Sequence, residues 1–217
     1  MENKYQVVAL IGKAGAGKDS IQNATCKAHP EIFHPIVSCT TRPPREGEID
    51  GENYHFLSIS DFTRKVLNGD MLEATEFRDW FYGTSIEALD PNKINLGVFN
   101  PAGITALLEA PNIVLTVIYI DALDKERLMR YLNREDDPDC AEMCRRYLAD
   151  EKDFADLDFD YYTYVNLNGC CIDLMHAGPA IETVLDRAWF QIGDMDTFKA
   201  SKDPIPAESF YNKDNNK

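Results

Sequence analysis

Apolar positions along the chain fall into short runs separated by amphipathic stretches, and this alternation predicts the order of elements. Tyr5–Ile11 is a continuous apolar run closed by glycine, the pattern of a parallel strand buried on both faces. A helix is expected from Lys18 to about Ala28, then an apolar stretch over Pro35–Ser38 and a loop of Thr, Arg, Pro and Gly from Thr40 to Gly51. A short strand near Tyr54–Leu57, a helix near Ser60–Asn68 and a strand over Met71–Phe77 follow. The section from about 35 to 90 lacks a sustained strand–helix alternation and reads as a small inserted lobe. The alternation resumes with a strand at Lys93–Phe99, a helix at Pro101–Glu109 with Pro in its first turn, and the strongly apolar strand Asn112–Ile120. Helices at about Leu123–Asn133 and Asp139–Phe154, a strand at Tyr161–Val165 and a helix over about Asp173–Gln191 complete the series. Beyond Asp196 the chain is polar, with Pro204 and Pro206, and is expected to be loosely ordered. The expected class is α/β, three layers with a parallel central sheet covered by helices on both faces.

Composition narrows the function classes more than it changes this fold. At 217 residues and 44% hydrophobic the chain suits one domain able to bury a core. The opening MENKYQVVALIG reads as a polar leader and then a strand, so no secretion signal is expected. No window approaches the roughly 20 apolar residues that span a bilayer. Cys26, Cys39, Cys140, Cys144, Cys170 and Cys171 are scattered without a C-x-x-C pair, which favours reduced thiols and a cytoplasmic location over disulfides or zinc. The net charge of −15 argues against nucleic-acid and anionic-membrane partners. Any polyanionic substrate must therefore meet a local concentration of basic residues.

Residues 12–19 supply one such place. They spell G-K-A-G-A-G-K-D directly after an apolar strand and directly before a helix. Glycines let successive backbone N–H groups face inward around phosphate oxygens, the helix adds its positive dipole end, and Lys18 reaches the β and γ phosphates. The expected ATP contacts are Gly12, Lys13, Ala14, Gly15, Ala16, Gly17, Lys18, Asp19 and Ser20. Asp19 stands where Ser or Thr normally gives a hydroxyl to Mg²⁺. Its carboxylate is a suitable hard ligand for that ion; the alternative is that it only complements the helix dipole.

A second basic place lies in IVSCTTRPPREGEIDGENYHF, residues 36–56. Arg42 and Arg45 stand three apart in a Pro-containing segment, able to offer two guanidinium forks to one phosphate, with Tyr54 as a third donor. This stretch closely resembles the guanylate kinases, whose pattern S-x-T-T-R-x-P-R-x-G-E-x-x-G-x-x-Y-x-F is filled at Ser38, Thr40, Thr41, Arg42, Pro44, Arg45, Gly47, Glu48, Gly51, Tyr54 and Phe56. More loosely, the resemblance runs from Tyr5 to about Gln191. It implies one domain over 1–196, with a core of 1–35 and 91–196, an acceptor lobe at about 36–90, a helical lid at about 130–150, and a polar tail at 197–217.

The resemblance also implies roles. Tyr82 would join the acceptor phosphate contacts, Ser38 and Thr84 would address the base, and Glu73 would accept from N1–H and the 2-amino group of guanine, a pair of donors adenine lacks. Arg130, Arg134 and Arg146 would be lid arginines that act with Lys18 in catalysis, with Arg145 as an alternative to Arg146. Asn166 would lie near the adenine of ATP. The family strand after the lobe usually ends acid-x-acid; Val98 and Asn100 stand there, so Asn100 is expected to bond the acceptor without charge, and Asp19 to replace the lost acid near Mg²⁺. The implied activity is ATP-dependent phosphorylation of GMP or dGMP by a monomer or homodimer. A ribose 1,5-bisphosphate phosphokinase, a broader deoxynucleoside monophosphate kinase and a non-catalytic binding module are the alternatives.

Overall fold

The computed structural model describes residues 5–45, 47–77, 79–133 and 137–166, together with 182, 184 and 186. Its centre is a five-stranded sheet in the order β2 (Phe33–Pro35), β7 (Ile94–Val98), β1 (Tyr5–Ile11), β8 (Ile113–Asp121) and β9 (Tyr162–Val165). Every pairing in it is parallel. Alternate residues of β1 feed opposite faces. Val8 and Leu10 pack with Ile21 of α1 (Lys18–Ala28), while Val7, Ala9 and Ile11 pack with Ile104 and Leu107 of α3 (Pro101–Glu109). The apolar runs thus bury both sides of each strand, at about 1.5–3 kcal/mol for each large side chain fully enclosed. Val184, in helical conformation like Glu182 and Asp186, joins the first of these clusters; the other residues of the last expected helix and the tail lie outside the described residues.

A second sheet is built wholly from residues 39–85, in the order β4 (His55–Phe56), β3 (Cys39–Thr40), β6 (Trp80–Ser85) and β5 (Met71–Phe77). The pattern of apolar positions did not predict β6, and its hairpin with β5 decides the lobe. In that hairpin Glu73 opposes Thr84 and Thr75 opposes Tyr82, after a register shift between Met71 and Glu73. Period-two geometry then brings Glu73, Thr75, Tyr82 and Thr84 to one face. α2 (Ile59–Asn68) packs on the other face, where Phe62 stacks on Phe81. It starts at Ser58, whose hydroxyl accepts from the Asp61 N–H, and stops at Gly69 in the left-handed region.

α4 (Asp124–Leu132) and α5 (Cys140–Asp153) follow β8, and α5 is capped by the Asp139 carboxylate accepting from the Glu142 N–H. Of the apolar stretch at 35–38 only Pro35 belongs to β2, although the Ile36 N–H still donates to the Leu96 carbonyl at 2.8 Å. Among the described residues, no helix is long and apolar enough to cross a membrane.

Candidate active site

β1 is central in the five-stranded sheet, so the loop after it opens at the carboxyl end of the strands, where open parallel sheets place their ligands. Gly12 has φ +146°, and a Cβ there would stand 2.3 Å from the Ile120 carbonyl oxygen. Gly17 takes the left-handed conformation at the start of α1. These positions require glycine, and they curl the loop tightly between β1 and α1. Lys18 folds back over the loop, its Nζ donating to the carbonyls of Gly12 at 2.7 Å and Lys13 at 3.2 Å. Burial pushes the Lys18 ammonium below the usual lysine range, while the charges of Asp19 and Asp150 oppose that shift.

Ala14, Gly12 and Lys18 form one wall of a cavity of about 270 Å³. Ser38, Arg42, Arg45, Tyr54, Glu73 and Tyr82 form the wall opposite, from the second sheet and its loop. Val98 and Asn100 lie between the walls, and Arg145, Arg146 and Asp150 of α5 complete the rim. Residues read from two separate motifs therefore face one space.

The lobe wall is held by local chemistry. Arg42 donates from Nη2 to Glu48 Oε1 at 2.9 Å, and its guanidinium lies 5.5 Å from the Tyr54 ring centroid and 5.7 Å from that of Phe56. Glu48 Oε2 also accepts the Arg45 N–H at 2.7 Å, so one carboxylate orders the whole Arg-Pro-Pro-Arg turn. Burial, then the charges of Arg146 and Arg42, holds Arg45 below the usual arginine range. Three guanidinium groups thus converge, an arrangement suited to a phosphate.

Glu73 is 7% exposed, and its Oε1 accepts from the Thr84 hydroxyl at 2.9 Å. Burial raises its carboxyl to about 7 against the partial opposition of the Thr84 hydroxyl and N–H. Asn100 caps α3, its Oδ1 accepting from the Gly103 N–H at 2.7 Å, and donates from Nδ2 to Thr75 Oγ1 at 3.2 Å. A Cβ at Gly103 would touch both Asn100 Oδ1 and Glu73 Oε2, at 3.3 and 3.5 Å, so these oxygens border the same patch of α3.

Other expected residues stand behind the loop. Asn166 is fully buried and donates from Nδ2 to the Ala16 carbonyl at 2.8 Å; Arg130 donates from Nη1 to the Gly15 carbonyl at 2.8 Å. Asp19 and Ser20 are exposed in the first turn of α1. Thr84 is buried behind Glu73. Arg145 and Arg146 both bond Glu142, whose carboxyl they hold down at about 2, and Arg146 is the more enclosed of the two. Arg134 lies outside the described residues.

Arg127 and Asp150 carry no signal in the motifs, yet they adjoin the loop. Each is 4% exposed. Arg127 Nε donates to the Ala14 carbonyl at 2.9 Å, and Asp150 Oδ2 accepts the Ala14 N–H at 2.6 Å. They pair with each other at 3.4 Å. In sequence both sit in charged helical stretches that look like solvated faces, so nothing distinguishes them there.

For a metal, the chemistry of the donor set near the loop is simple. Mg²⁺ takes one or two carboxylates and otherwise water and nucleotide phosphates. Asp19 offers an exposed carboxylate at the end of the loop and fits that requirement; the aliphatic Val98 does not. Among the described residues no three His, Cys, Asp or Glu side chains cluster as a self-sufficient metal cage.

Guanylate kinase of Nostoc sp. (strain PCC 7120 / SAG 25.82 / UTEX 2576) is 42% identical over 84 residues, covering 39% of this chain and 42% of that protein. Guanylate kinase of Latilactobacillus sakei subsp. sakei (strain 23K) is 38% identical over 87 residues, 40% of this chain and 43% of that protein. The matched segments thus span less than half the length of these curated relatives. The crystal structure of guanylate kinase from Anaplasma phagocytophilum superposes with a TM-score of 0.57 at 20% identity, covering 86% of this chain and 87% of that one, a likeness of fold. The family model for guanylate kinase matches residues 4–168, a span holding the phosphate loop, the second sheet and the helices at the rim. On that match the chain belongs to the guanylate kinase family.

Proposed function

We propose that this chain transfers the γ-phosphoryl group of ATP to GMP or dGMP. The observation that carries the reading is the single cavity with Gly12, Ala14 and Lys18 on one wall and Arg42, Arg45, Tyr54, Glu73 and Tyr82 on the other. One wall is suited to the phosphates of the donor and the other to a phosphate joined to a base with two adjacent donors. In this reading an oxygen of the acceptor phosphate attacks the γ-phosphorus, the bond from that phosphorus to the β–γ bridging oxygen breaks, and ADP leaves. The chain contributes position and positive charge. Lys18 leaves the Gly12 and Lys13 carbonyls for the donor phosphates, Arg42 and Arg45 orient the acceptor phosphate, and Arg146 neutralises charge from the rim. Arg130 and Asn166 hold the loop through the Gly15 and Ala16 carbonyls, so their role is support of the ATP site.

Glu73, ionised, accepts from N1–H and the 2-amino group of guanine. Adenine would leave a buried carboxylate facing an acceptor, a costly mismatch. Mg²⁺, which offsets phosphate charge when bound, would be held by Asp19 and the nucleotide. Release of ADP on mixing the chain with ATP, Mg²⁺ and each of GMP, dGMP, AMP, CMP, dTMP and ribose 1,5-bisphosphate tests the proposal. Preference for GMP or dGMP supports it. Turnover of ribose 1,5-bisphosphate, equal turnover of all bases, or no turnover with ATP bound would each replace it by a different activity.

A further inference from the structure

The rim helix α5 grips the phosphate loop with two consecutive acids. Asp150 Oδ2 accepts the Ala14 N–H at 2.6 Å, and the neighbouring Glu151 pairs with Lys13 Nζ. Ala14 and Asp150 both line the cavity into which the loop faces. A backbone N–H that borders the cavity is thus taken by an anion that belongs to the protein. Arg127 keeps that anion in place: it pairs with Asp150, bonds the Ala14 carbonyl, donates to Asp124 at 2.7 Å and lies 5.2 Å from the Tyr147 ring centroid. One turn before Asp150 the same helix presents Arg146 to the cavity. Attraction and repulsion toward a triphosphate are therefore built into one helix, with the carboxylate nearer the loop.

We infer that Asp150 sets the affinity of the donor site by competing with the donor phosphates for the Ala14 N–H, so that ATP binds only as α5 releases the loop. The inference rests on the reading of the loop as the ATP site. Two like-charged groups cannot share one amide donor in a part-buried site without cost. The apparent affinity for ATP is lowered by the fraction of molecules in which the carboxylate holds the loop. The contact also couples the donor site to the position of the rim arginines, because releasing Asp150 moves the segment that carries Arg146.

Calorimetric titration of the full chain and of Asp150→Asn with ATP, tripolyphosphate and adenosine tests this. Asn keeps an acceptor for Ala14 but removes the charge. Tightening of ATP and tripolyphosphate by about fivefold or more is expected, with adenosine unchanged. A merely structural Asp150 would give unchanged or weaker phosphate binding in a variant that melts as the unaltered chain does, and that result overturns the inference. Asp150→Ser repeats the measurement with a smaller neutral side chain, and loss of the fold in both variants also overturns it. Failure of the unaltered chain to bind ATP would instead sink the assignment of the loop itself.

Discussion

At the loop end of the cavity, proposed to take the donor, the protein engages the loop's own backbone, whereas at the end proposed to take the acceptor it holds side chains against one another. Lys18 lies on the Gly12 and Lys13 carbonyls, Arg130 and Asn166 hold the Gly15 and Ala16 carbonyls, and Asp150 holds the Ala14 N–H. A nucleotide entering there must exchange contacts. The lobe wall stands on a hydrogen-bonded hairpin, with Arg42 and Arg45 held by Glu48 and Glu73 bonded to Thr84. Arg42 is already engaged there, donating to Glu48 and to the Pro43 carbonyl. In the proposed reading, binding is coupled to movement of α5 at the first end and depends on complementarity with prearranged side chains at the second.

If the donor end supplies the chemistry, Lys18→Met lowers kcat by about 10²–10³ while leaving guanosine binding intact. Steady-state ADP release with a parallel guanosine titration checks it, and a matching loss of guanosine affinity would break the separation of the two ends. A smaller effect, about tenfold in rate with weaker Mg²⁺ dependence, is expected for Asp19→Ser across a Mg²⁺ titration. Unchanged kinetics would remove Asp19 from the metal.

The acceptor end should show its own signature in pH. The Glu73 carboxyl ordinarily titrates near 4.5 and is raised to about 7 by burial. A raised acid is protonated in the empty site below about 7, and only the ionised form accepts both guanine donors. Guanosine, which has no phosphate to titrate, should therefore bind more weakly as pH falls below 7, approaching tenfold per unit. The same shift makes the folded chain lose stability as pH rises from about 4.5 toward 7, so Glu73→Gln should flatten that part of the melting profile. The smallest effect is expected from Thr84→Val. Removing the donor to Glu73 raises the carboxyl further and weakens guanosine by about threefold at pH 7.

Much of this division was legible in the sequence, and for identifiable reasons. Tyr5–Ile11, Pro101–Glu109 and Met71–Phe77 announce themselves by period and punctuation, and the glycines at 12–17 by their spacing. Trp80–Ser85 did not, because a strand of aromatic residues with a central Gly has no clean alternation. Its Gly83 reflects a contact invisible in one dimension, since a Cβ there would stand 2.5 Å from the Met71 Cε and 3.1 Å from the Phe62 ring. Arg127 and Asp150 were equally hidden. Their pairing depends on how α4 and α5 dock on the loop, and a buried ion pair between helices reads in sequence as two surface charges.

In the proposed function one side chain, Glu73, reads the base. The direct measurement is kcat/KM for GMP and for AMP, with saturating ATP and Mg²⁺ at pH 8, in the unaltered chain and in Glu73→Gln. A strong preference for GMP is expected, falling by about 10–100-fold in the variant, with AMP changing little and the fold retained. An unaltered chain that turns over both alike, or a variant that keeps its preference for GMP, would contradict it.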